Sequence, residues 1–169
     1  TGGQVWEGTG LAPDWVSRRN LGDAVDVAAN GGAVWITATD TCLYQWTGGT
    51  SWAAAACGYA SAVDLDTQGQ PWMIWGGDIW AYLQTTSGYG WYYYGTPGSA
   101  TDIGVGDSEV WVVSGGTLKY LVKSASNFIT DPTFSAQSGG RVASKVAVEK
   151  NGTVWVVATD STIWRGERH

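Results

Sequence analysis

The residues of this chain that could do chemistry are its carboxylates and its aromatics. There is a single histidine, His169, and a terminal residue is seldom ordered. That removes Ser-His-Asp and Cys-His nucleophilic pairs and every histidine-based metal cluster. Two carboxylates alone can hydrolyse a glycoside. Asp64 and Asp66 lie two apart, on one face of a strand. Asp64, however, belongs to an apolar-Asp-apolar step that recurs around Asp26 and Asp102, with Lys145 at the fourth place. A residue that recurs at equivalent places serves architecture. Each carboxylate is expected to bond backbone N–H groups nearby and to fix the spacing between repeats. Asp78, Asp107 and Glu109 fall in turns. No catalytic residue, metal or other cofactor is expected, and the chain reads as a non-enzyme.

The aromatics divide in the same way. Trp35, Trp72, Trp111 and Trp155 each sit in an apolar run at a repeated place, and are expected to pack between sheets. The residues that depart from the pattern are the candidates for binding a ligand. These are Trp46, Trp52, Trp75, Asp78, Trp80, Trp91, Tyr92, Tyr94, Trp164 and Arg165. In the run Trp91-Tyr92-Tyr93-Tyr94, strand alternation puts two aromatics on each face. An outer strand cannot easily bury both faces, and exposed aromatic clusters mark interaction surfaces.

The elements that position these residues follow from the repeat. Ala24-Val25-Asp26-Val27 leads to Val34-Trp35-Ile36, and Ala62-Val63-Asp64-Leu65 leads to Pro71-Trp72-Met73. Ala100-Thr101-Asp102-Ile103 leads to Val110-Trp111-Val112, and Lys145-Val146-Ala147-Val148 leads to Val154-Trp155-Val156. The anchor tryptophans are 37, 39 and 44 residues apart. Short alternating runs at that period, separated by glycine, Asn-Gly and Thr-Asp turns, predict an all-β protein: a small β-propeller of about four blades, each of four antiparallel strands. The blades fall at about 24–61, 62–99, 100–143, and 144–169 joined to 1–23. The N-terminal run resembles the third and fourth strands of a blade, so the last blade is expected to be shared between the termini. Five blade positions with incomplete end blades are the alternative. The fourth strands are expected at Trp52, Trp91 and Phe134. Lys123–Asn127 reads as an enlarged loop before the last of these.

Charged residues make up only 14% of the chain and the net charge is −6. With no basic run, nucleic acid is not an expected partner. No segment approaches the ~20 apolar residues of a membrane helix. Cys42 and Cys57 bracket the turn at Thr47–Thr50, so a disulfide and two buried thiols both fit. Asn151-Gly152-Thr153 reads as a hairpin turn rather than a glycosylation site.

The ordered motifs resemble the tectonin repeat. The likeness is carried by Thr101-Asp102-Ile103-Gly104-Val105-Gly106 with Val110-Trp111-Val112-Val113. It is carried also by Val148–Trp155 with Thr162-Ile163-Trp164-Arg165-Gly166, and by Leu43-Tyr44-Gln45-Trp46-Thr47-Gly48. The resemblance implies a propeller lectin with sites in the loops between blades. Its ligands would be glycans, including methylated sugars and bacterial surface glycans, bound multivalently and often in innate defence. A secreted or cell-surface location is favoured. The rival expectation is a structural or protein-interaction propeller that uses its exposed aromatics as a homo-oligomer interface.

Overall fold

The computed structural model describes residues 3–9, 14–125 and 127–167. They form four antiparallel sheets, arranged as the blades of a β-propeller. The first sheet runs β1 (Gly3–Thr9), β2 (Asp14–Asn30), β3 (Ala33–Ala38), β4 (Cys42–Gly48), β5 (Ser51–Cys57). The second is β6 (Ala60–Leu65), β7 (Pro71–Trp75), β8 (Asp78–Thr85), β9 (Gly88–Gly95). The third is β10 (Ala100–Val105), β11 (Glu109–Ser114), β12 (Thr117–Val122), β13 (Ile129–Thr130). A short helix, α1 (Pro132–Gln137), leads to the fourth sheet, β14 (Ala143–Val148), β15 (Thr153–Ala158), β16 (Ile163–Glu167).

Turn chemistry sets the strand ends. Gly76-Gly77 and Gly115-Gly116 hold positive φ at both turn positions, which residues with a Cβ rarely adopt. The two polar turns hold one positive-φ residue each, Thr41 and Ser161, and add side-chain bonds. Asp40 Oδ1 accepts from Cys42 N–H, and Asp160 Oδ1 from Thr162 N–H. The Asn-Gly turn is a hairpin as expected, with Thr153 N–H donating to Asn151 Oδ1.

The blades pack face to face through three apolar layers. Trp35 and Leu43 of the first blade meet Val63, Leu65 and Met73 of the second. Trp72, Ile74 and Ile79 of the second meet Ile103, Val105, Val110 and Val112 of the third. Trp111, Val113 and Leu118 of the third meet Val146, Val154 and Val156 of the fourth. Each blade thus presents its anchor tryptophan forward and a Val/Ile/Leu face backward. At the last junction the strands come very close: a Cβ on Gly104 would lie 3.2 Å from the Ala147 Cα.

The repeated carboxylates are clamps between these layers. Asp26 accepts from Val27 N–H of its own strand and from Val63 N–H of the next blade. Asp64 accepts likewise from Leu65 and Val105, and Asp102 from Val146. The three are not at equivalent places, however. Asp26 and Asp102 follow the bulge of the inner strand, opposite Thr37 and Val113, where the second blade has Ala62 opposite Ile74. Asp64 lies two residues further, opposite Trp72. A slide of two residues keeps the side chain on the same face, so its acceptor function moves with it to Val105.

Two further expectations change. Phe134 does not begin a fourth strand; it lies in α1, started by Asp131, whose carboxylate accepts from Thr133 N–H, and by a proline in the first turn. The fourth strand of that blade is β13. The seam between the termini also differs. β1 pairs with the first half of β2, not with β16, and the fourth sheet keeps three strands. The inner strands β2, β6, β10 and β14 pack in succession, but β14 makes no comparable contact with β2. The four blades form an open arc.

Candidate functional site

A concentration of aromatic and polar groups lies on the outer strands of the second blade, on the face turned toward the first blade. Strand β9 places Tyr93 opposite Trp80 on β8, and their rings stand 5.3 Å apart. Tyr93 is 53% exposed. Its hydroxyl is 2.8 Å from Thr96 Oγ1, which in turn donates to Asp78 Oδ1 at 2.6 Å. Thr96 therefore accepts from Tyr93 while it donates to Asp78.

Thr96 also forms a wall of an open pocket of about 190 Å³ lined by Gly95, Pro97, Lys119, Asn127, Phe128 and Thr130. Lys119 Nζ donates to the Pro97 carbonyl, tying β12 to the end of β9. Ser114 Oγ donates to the same carbonyl at 2.8 Å. Phe128 packs its ring into the core layer between the second and third blades, so the loop after β12 is anchored at the pocket. Thr96 thus joins two groups: Tyr93, Trp80 and Asp78 on one face of the second blade, and the pocket's amide, hydroxyls and ammonium at the border with the third.

No protein-family model matches the chain, and no curated protein matches it. Solved structures do match. The chain covers 98% of its length on the extracellular domain of a hybrid two-component system from B. thetaiotaomicron, at 13% identity and TM-score 0.63. It covers 99% of its length on virginiamycin B lyase from Staphylococcus aureus, at 12% identity and TM-score 0.61. It covers 89% of its length on the computationally designed Ika4 protein, at 12% identity and TM-score 0.62. The shares of those chains that are matched are 25%, 64% and 94%. The chain therefore spans about a quarter of the first of these. At such identities the likeness shows the β-propeller fold alone, an architecture suited to binding or interaction. A lyase among the neighbours means that the fold by itself does not decide the question of catalysis.

The ten residues singled out from the sequence do not form one site. Asp78 and Trp80 join the cluster just described. Tyr92 is exposed on the other face of β9, its hydroxyl donating to Thr85 Oγ1. Trp91 and Tyr94 turn inward: Trp91 packs on Tyr82 at 4.9 Å and Tyr94 on Trp72 at 4.4 Å. Burial raises the Tyr94 hydroxyl above the usual phenol range. Trp75 covers Gly58, where a Cβ would meet the indole at 3.1 Å. Trp46 and Trp52 face each other across β4 and β5. Arg18 lies over the Trp46 ring, its carbonyl accepting from Trp52 Nε1. Trp164 sits edge-on to Phe134 beneath Arg141, and Arg165 lies over Trp155. Tyr93 belongs to the aromatic run but was not among the ten. Asn127 ends the enlarged loop read from the sequence, whereas Thr96 and Lys119 carry no signal of their own, because only the juxtaposition of two blades brings them together.

The acid pair is also accounted for. Asp66 is buried and caps its turn, accepting from Gln68 and Gln70 N–H and from Trp72 Nε1. Asp64 is committed to its two backbone donors. Burial pushes its carboxyl up to about 6, with Asp26 and Asp102 adding to the rise. Among the described residues no group of three or more His, Cys, Asp or Glu is placed to hold a metal. No described helix is long and apolar enough to cross a membrane. His169 lies outside the described residues. Cys42 and Cys57, directly opposite one another on β4 and β5, form a disulfide.

Proposed function

We propose that the chain is a glycan-binding propeller of the tectonin type, with a binding cleft at the outer strand of its second blade, around Tyr93. The observation that carries this reading is the exposed Tyr93 ring beside the Asp78–Thr96 relay and the pocket that Thr96 walls. A sugar presents a C–H face that packs on an aromatic ring and hydroxyls that need acceptors and donors within hydrogen-bond reach. Tyr93 supplies the first; Asp78 and Thr96 supply the second. The pocket is small and open, so one site would bind weakly and depend on multivalent display. The ligand class includes bacterial surface glycans and methylated sugars, whose extra methyl groups favour an apolar wall such as Trp80 beside Tyr93. The chemistry needs no catalytic group, and the chain is proposed to be a non-enzyme. The disulfide fits an oxidising compartment, which favours a secreted or cell-surface location.

A glycan array tests the reading. Tyr93→Ala and Asp78→Ala should each abolish hits seen with the unmodified chain, while Trp164→Ala, remote from the cleft, should leave them. A blank array, or hits indifferent to both cleft variants, refutes it.

A further inference from the structure

We infer that the protein assembles head to tail with a second copy of itself. The forward face of the fourth blade in one copy would seat against the backward face of the first blade in the other. Two such seams close a ring of eight blades. The argument starts from equivalent positions. Trp155, Val157 and Ile163 are 39%, 36% and 68% exposed. The register places them where the second blade has Trp72, Ile74 and Ile79, at 1%, 0% and 0%. The first and third blades bury the same three places, with Trp35, Thr37 and Leu43, and with Trp111, Val113 and Leu118. A forward face that is covered three times within the chain is bare the fourth time.

Its complement is bare at the other end. Val27 is 55% exposed, whereas Val63, Ile103 and Val146 at the same place are buried. Ala29 is exposed where Leu65 and Val105 are buried. The outer part of that face is already covered, because Arg18 and Arg19 of β2 lie over Trp46, Tyr44 and Trp52. What is missing is an inner pair of strands, and β14 with β15 is such a pair. The occupant is thus chosen by continuity with the interface that already joins the blades.

Strand edges agree too. Among the described residues, β16 pairs only with β15, and residues 14–19 of β2 pair only with β1. Joining these two edges in antiparallel sense gives a composite blade, β14-β15-β16 from one copy and β2-β1 from the next, and removes both open edges. Within one chain the arc stays open, and it superposes on part of the longer lyase chain. A head-to-tail contact closes into a ring when its rotation permits.

Light scattering on the full chain should give twice 17.9 kDa. Trp155→Glu and Val27→Glu should each weaken the dimer by more than about 100-fold while far-UV circular dichroism stays unchanged. Mixing the two variants should restore a 1:1 dimer, because one of its two seams then joins two unaltered faces. A wild-type monomer at every accessible concentration overturns the proposal. So does a dimer indifferent to both variants, or a mixture that stays monomeric. Should either variant fail to fold, Lys145→Cys with Val27→Cys keeps the test alive. Thiol crosslinking should yield covalent dimers; crosslinked monomers would mean that the chain closes on itself.

Discussion

The second and fourth blades carry nearly the same words and live in different surroundings. Trp72 and Trp155 occupy one place in the repeat and both donate Nε1 to an acid six residues upstream, Asp66 and Glu149. Trp72 lies between two blades, roofed by Tyr94. Trp155 has blade on one side only, with Arg165 over its ring. The difference shows that the repeat encodes a pair of complementary faces and not a finished core. A forward face becomes core only when a backward face meets it, so the energetic weight of identical residues depends on their position along the arc.

The sharpest way to break the comparison is to truncate both tryptophans. Trp72→Ala removes a fully buried side chain and should cost about 3–5 kcal/mol. Trp155→Ala, measured on dilute monomer, should cost under about 1 kcal/mol. Urea titrations with unchanged slope would check the pair. Equal costs would mean that the fourth blade's forward face is covered within the chain.

The next effect concerns the inner clamps. Asp102→Ala leaves the buried Val146 N–H without its acceptor and should cost about 1–3 kcal/mol. Lys145→Met breaks only the 2.8 Å ion pair to the same carboxylate. With its ammonium largely in water, that change should cost under about 1 kcal/mol. Thermal unfolding of both variants would rank them, and the reverse order would sink the clamp account.

The comparison also explains what was legible in the sequence. The period, the anchor tryptophans and the turn types were legible because each is a local string with a local physical cause. Asp64 was misaligned because Ala-Val-Asp-Leu reads like Ala-Val-Asp-Val, and only cross-strand register with β7 reveals the slide. The helix at Phe134 had its signal in Asp131-Pro132, a capping pair overlooked in favour of the repeat. Asp78 and Trp80 could be picked out as departures from the pattern. Thr96 and Lys119 could not, since nothing local distinguishes a threonine that faces a neighbouring blade from one that faces water. Openness of the arc was likewise invisible: curvature is set by packing between blades, which the repeat specifies pairwise without a count.

The smallest effect separates the carboxylates of the two regions. Asp102 has Lys145 beside it, and the ion pair opposes the rise that burial imposes. Asp64, in the closed middle of the arc, has two backbone donors and, among the described residues, no ion pair, and its carboxyl is pushed up to about 6 by burial. Its folded value lies above its unfolded one, so between the two the native state binds the extra proton. Stability should therefore rise as pH falls from 7 toward 5.5, by about 1 kcal/mol. It should stop rising near the unfolded carboxylate value. Further acid then removes the pairs that hold Asp23 and Asp160 below the usual range, Asp160 at about 2, and stability turns down. Asp64→Asn should flatten the upper limb and leave the lower one. If the upper limb survives that substitution, the titrating group is not Asp64, and the middle of the arc does not hold a strained carboxylate.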